Sequence, residues 1–76
     1  MSIEKAIKER LKELLTLKNM SVYKLYTLSG VPKSTVYETI NGNDKRITVS
    51  TLAELCATLD ISLTEFFNSP LFKDIV

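Results

Sequence analysis

Apolar residues recur along the first part of the chain at helical rather than strand spacing. Ile3, Ile7, Leu11 and Leu14 stand four, four and three positions apart, with Lys or Glu filling outer positions. That places one apolar stripe on a helix over about residues 3 to 18, and Ser2 can cap its start. Asn19 and Met20 break the register. Ser21 then caps a second segment of about two turns, in which Val22, Leu25 and Leu28 turn inward before Gly30.

The stretch GVPKSTVYETING, residues 30 to 42, is different in kind. Gly30 suits a left-handed exit from the second helix, and proline suits a helix start because its missing N–H would be unpaired there in any case. A third helix is therefore predicted to begin near Pro32. Between Pro32 and Asn41 only Val36 and Ile40 are strongly apolar, so one edge is buried and most of the surface is left over. Asn41 and Gly42, which tolerate positive φ, end the helix, and the GNDKRI loop that follows is the most polar stretch of the chain.

Thr48 is a cap for a fourth helix, with Val49, Leu52, Leu55, Cys56 and Leu59 on its inner face. Ser62-Leu63-Thr64-Glu65 fits the capping box, in which serine and glutamate satisfy each other's backbone donors, and announces a fifth helix carrying Phe66 and Phe67. Asn68-Ser69-Pro70 stops it and opens an apolar tail, residues 68 to 76. No strand-like alternation and no repeat competes with these periods. The fold class is all-α: five short helices and a tail in a single domain, residues 1 to 76.

Composition narrows the function classes. A chain of 76 residues buries only about 60% of the surface its unfolded form exposes, so a partner subunit would add stability. Apolar and charged fractions of 45% and 25% are those of a folded globular protein. No apolar run reaches a membrane span of about 20 residues, and Met1 to Arg10 alternates charge with apolar side chains instead of forming a signal-peptide core. The expected localisation is cytoplasmic. One cysteine makes no internal disulfide, and without histidine the usual metal spacings and imidazole chemistry are missing. No nucleophile and base are held together by any pattern in the chain, so the reading is no enzyme, no cofactor and no metal.

Net charge is +1, but residues 1 to 50 hold nine Lys and Arg against five Asp and Glu, and residues 51 to 76 hold one against four. A basic face on a nearly neutral molecule fits a polyanion partner.

Two short helices joined by a glycine turn have the outline of a helix-turn-helix, whose second helix enters a DNA major groove. Over residues 22 to 41, Leu25 and Val31 point inward, Gly30 makes the turn and Val36 locks the second helix on the first. The chain resembles the lambda-repressor and Cro-like helix-turn-helix DNA-binding family at these positions. The opening IKERLKELLTLKNMS and the later ITVSTLAELCATLDISLTEFF extend the resemblance over residues 3 to 67. Two positions depart from it. Val22 stands where the family usually has a glutamine that reaches a phosphate, and Tyr26 where it prefers a small residue, so the tyrosine is expected to point partly outward or widen the crossing.

On the third helix Ser34, Glu38 and Asn41 lie at i, i+4 and i+7, roughly opposite Val36 and Ile40, with Tyr37 and Thr35 flanking and Lys33 at the N-terminal end. Lysine donates to guanine O6 and N7, serine donates or accepts, and glutamate accepts from cytosine N4–H₂. With the resemblance, this makes Lys33, Ser34, Tyr37 and Glu38 candidate base readers. Tyr37 can alternatively set its hydroxyl on a phosphate, and Glu38 can alternatively remain solvated or pair with a nearby lysine. Candidate phosphate contacts are Ser21 and Tyr23 at the start of the second helix, and Asn41, Asn43, Lys45 and Arg46 in and before the polar loop. Leu71, Phe72, Ile75 and Val76 are candidates for a two-fold interface, whereas Phe66 fits core sealing.

These expectations converge on a sequence-specific transcriptional regulator, a repressor that binds a short palindromic operator in double-stranded DNA as a homodimer, with no small-molecule effector evident. The alternative is a protein-interaction module, such as an antitoxin or anti-repressor target, whose tail binds another protein and whose DNA contact is secondary.

Overall fold

Ser2, Ser21, Thr48 and Ser62 each accept a hydrogen bond from the backbone N–H three residues on, and each starts a helix. The computed structural model describes residues 1–43, 45–73 and 75. It runs α1 (Ile3–Leu17), α2 (Val22–Ser29), α3 (Lys33–Asn41), α4 (Val49–Thr58), α5 (Leu63–Phe67) and a 3-10 turn (Pro70–Phe72). Ser62 and Glu65 complete the capping box of α5. No strand occurs among the described residues, and no helix of theirs is long and apolar enough to cross a membrane.

The helices wrap one core. Leu11, Leu14 and Leu15 of α1, Leu25 of α2, Val36 and Ile40 of α3, Leu52, Leu55 and Cys56 of α4, and Phe66 of α5 are all buried, with Val31 from the α2–α3 turn among them. Arg10 ties the ends of the chain together: its guanidinium donates to the Phe66 carbonyl at 2.8 Å and the Glu65 carbonyl at 2.9 Å, and pairs with Glu13. Two carbonyls at the C-terminal end of α5 thus receive a charged donor from α1, the Glu65 carbonyl in addition to the Asn68 N–H.

Three apolar residues predicted to face inward, Ile3, Leu28 and Val49, do not. Leu28 is 59% exposed and Val49 71%. Gly30, at φ 75°, turns the chain so that Val31, 2% exposed, enters the core in place of Leu28. Val49 begins α4 at the edge of the core, where with Ile3, Ile47 and Phe67 it lines an open apolar groove of about 440 Å³. The end of α3 also differs from expectation: Gly42 has φ −89° and ψ −171°, extended rather than left-handed. Glycine is needed there for space, since a Cβ would lie 2.4 Å from the Glu38 carbonyl oxygen. The left-handed residues that follow helices are Asn19, Gly30 and Asp60.

Candidate nucleic-acid interface

Helix α3 is held by one edge and open on the other. Val36 and Ile40 are buried, and so is Thr39, a polar side chain whose hydroxyl donates to the Thr35 carbonyl at 2.7 Å. That local bond lets a threonine sit in the interface with α2 and α1 without an unpaired donor. Leu25 and Val31 complete the contact from the α2 side. α3 is also entered through Pro32, which offers no capping side chain, so its first turn lacks the hydroxyl acceptor that starts the other α-helices.

On the open side Lys33, Ser34, Glu38 and Asn41 are exposed, and Tyr37 and Thr35 are half-buried. The structure therefore brings all four candidate base readers onto one surface. Lys33 Nζ lies 5.8 Å from the centroid of the Tyr37 ring, a cation–π distance that holds the lysine along the helix. Glu38 has a partner as well: its carboxylate is in direct contact with Lys45 Nζ, from the loop beyond the helix. The pairing with a nearby lysine that the sequence allowed for Glu38 is present, with the side chain still exposed.

The candidate phosphate contacts fall into two groups. Ser21 and Asn41 share an open groove of about 750 Å³ between the end of α1, the start of α2 and the end of α3. Lys12 and Asn19 line the same groove. Lys12 escaped the sequence reading because it lies on the solvent face of α1, far in sequence from the helices it adjoins. Tyr23 is 62% exposed, with its ring edge-on to Tyr26 at 6.0 Å. Tyr26 is half-buried at the rim of the core, so it points partly outward as its size requires. Val22 packs on the core and presents no donor.

The second group is the loop after α3. Asn43 is exposed, Lys45 is held by Glu38, and Arg46 extends with its side chain 94% exposed, its Nε 3.8 Å from the Glu4 carboxylate. Lys8 Nζ donates to the Gly42 carbonyl at 3.2 Å, so α1 supplies a cation to the C-terminal end of α3.

The tail turns back on its own chain. Phe72 sits against Phe67 at 4.9 Å and Phe66 at 5.8 Å between ring centroids, and the 3-10 turn packs on α1. Leu71 and Ile75 are half-buried and line one open cleft with Met1 and Glu13. Val76 lies outside the described residues. Exposed apolar side chains also gather elsewhere, at Ile3, Val49 and Phe67, a patch that the tail-centred reading of the sequence overlooked.

Cys56 is 1% exposed, and burial pushes its thiol up to about 11 although the Arg10 charge pulls the other way. No group of three or more His, Cys, Asp or Glu side chains among the described residues is arranged to hold a metal ion.

Comparison with known proteins agrees with this geometry. Among curated proteins none matches the chain. A crystal structure described as that of the prophage Lp1 protein 11 superimposes with a TM-score of 0.83, at 34% identity over 99% of this chain and 100% of that one. A family model for the Cro/C1-type HTH DNA-binding domain matches residues 10–70, a span that holds α2, the Gly30 turn and α3 entire. The chain belongs to the Cro/C1-type helix-turn-helix DNA-binding family.

Proposed function

We propose that this DNA-binding regulator is a sequence-specific repressor that places α3 in the major groove and binds a short palindromic operator as a homodimer. The observation that carries the reading is the division of α3: Val36, Thr39 and Ile40 take the inner edge, while Lys33, Ser34 and Tyr37 share the open surface. Lys33 donates to guanine O6 and N7, Ser34 donates to or accepts from a neighbouring base edge, and Tyr37 steadies the lysine and contacts a base or phosphate through its hydroxyl. Ser21, Tyr23 and Asn41 on one side of the helix and Asn43 and Arg46 on the other contact the backbone and set the register.

Each copy carries one α3, and reading two major-groove half-sites about 34 Å apart takes two copies in contact. We assign that contact to Leu71, Ile75 and Val76 of the tail, with Phe72 supporting them from its place against Phe66 and Phe67. A second reading, a protein-interaction module of the antitoxin or anti-repressor-target kind, is favoured by the apolar groove at Ile3, Val49 and Phe67.

Selection of bound duplexes from a random-sequence pool decides between them. An enriched palindrome is the expected outcome. Failure to enrich any duplex would refute the operator reading and leave the interaction module.

A further inference from the structure

The pairing of Glu38 with Lys45 has a consequence for how the reading surface meets DNA. Both side chains are accessible, at 55% and 39% exposure. They span seven positions, so the pair links the reading helix to the loop behind it and is not an ordinary neighbour pair along one helix turn. For Glu38 to accept from a cytosine, its carboxylate would have to leave an ammonium already in contact with it. It would then enter, with its negative charge uncompensated, a groove flanked by one phosphate per about 1.7 Å of helix axis. For Lys45 to anchor a phosphate, it would have to leave the same partner. As a pair the two are neutral, and the cations of α3 and its loop outside that pair are Lys33 at one end and Arg46, 3.8 Å from the Glu4 carboxylate, at the other.

We infer that Glu38 is an internal counter-ion for Lys45, a positioning residue that limits sequence-independent attraction to DNA and reads no base. The inference rests on the proposed major-groove role of α3. Every duplex, whatever its sequence, attracts an unpaired lysine through its phosphates, so a free Lys45 would strengthen specific and non-specific binding alike. Holding it on Glu38 lowers the shared background and leaves discrimination to Lys33, Ser34 and Tyr37. The carboxylate therefore acts on specificity through Lys45 and not through a base edge.

The test uses the full chain, a duplex enriched from the random pool and a scrambled duplex of the same composition, titrated over a range of monovalent salt. Glu38→Gln removes the charge at an exposed position and keeps the side chain's shape; thermal melting confirms an unchanged fold. The expected result is tighter binding to both duplexes by the same factor, about eightfold at 0.1 M salt, with the slope of log K against log salt steeper by about 0.9, as one added phosphate contact requires. Adding Lys45→Gln to that variant should abolish the gain and restore the original slope. Relaxed preference at a single base pair with an unchanged slope would overturn the inference, because it would mean that the carboxylate touches a base. Uniformly weaker binding, or a gain that survives the second substitution, would overturn it too. Absence of binding by the unaltered chain to every duplex would instead refute the major-groove reading itself and the inference with it.

Discussion

Lys33 and Arg46 are both cations on the proposed DNA side, yet their surroundings differ enough to separate their roles. Lys33 lies along the reading helix against the Tyr37 ring, and Arg46 projects from a loop with most of its side chain in solvent. Lys33→Ala is expected to cost about 1–3 kcal/mol of binding and to relax preference at one base position, whereas Arg46→Ala should weaken all duplexes alike and flatten the salt slope by about 0.9. Titration of matched and singly altered duplexes checks both; identical behaviour would erase the division into reader and anchor. Cys56 yields a prediction about stability. Burial raises its folded pKa to about 11, above the ordinary thiol value of 9.0, so the native state holds the proton more tightly than the unfolded chain does. The resulting stabilisation is present in full below about pH 9 and is lost as the pH rises through 11. Melting temperature should fall across that window more steeply for the native chain than for Cys56→Ala. At pH 8 a thiol reagent should modify Cys56 only after unfolding.

At the scale of elements, the position of α3 depends on how both its ends are fixed. Gly30 sets the angle of entry through a left-handed turn, and Gly42 permits a close exit past the Glu38 carbonyl, where Lys8 also donates. Gly42→Ala forces a methyl group to within 2.4 Å of that oxygen, so the last turn of α3 must shift. A loss of about 1–3 kcal/mol is expected, as for an overpacked site. In a domain of this size that lowers the melting midpoint by about 4–8 °C per kcal/mol. The same shift moves Asn41 and the loop beyond it, so DNA affinity should fall even at temperatures where the variant is fully folded. An unchanged melting curve measured by circular dichroism would mean that the backbone yields there at no cost.

For the whole molecule, the proposed homodimer requires a contact between two copies. The tail turns its aromatic ring inward, onto Phe66 and Phe67, and leaves Leu71 and Ile75 half-buried beside Met1. If they complete a two-fold contact, charging them in the double variant Leu71→Lys, Ile75→Glu should weaken binding to a palindrome while leaving affinity for a single half-site unchanged. Gel-shift titration of the two duplexes measures this directly. Equal affinity for the palindrome before and after substitution would move the interface to the apolar groove at Ile3, Val49 and Phe67.

The helices were legible in the residue order because the physics that starts and stops them is local. Ser2, Ser21, Thr48 and Ser62 reach only three residues ahead, and the stripes of α1 and α4 follow from 3.6 residues per turn. Gly30 ended α2 where its tolerance of positive φ implied, and Asn19 stands where the register of α1 breaks. The turn glycine and the buried Leu25, Val31 and Val36 were legible for the same reason, and with them the one-edged character of α3. Position within a stripe does not say which of two apolar residues wins the core, and for that reason Val31 displaces Leu28 and Val49 lies outside. Nor does it say which charges meet. Arg10 caps a helix that is 55 residues away, and Lys12 faces the start of α2 across a groove. Glu38 meets Lys45, seven positions on and beyond Gly42; the sequence allowed both a cytosine acceptor and a lysine partner there, and only the tertiary structure shows which lysine stands beside it. Local periodicity and capping thus determined the elements and the surface α3 leaves free, while long-range packing, which depends on side chains distant in sequence, decided how that surface is charged.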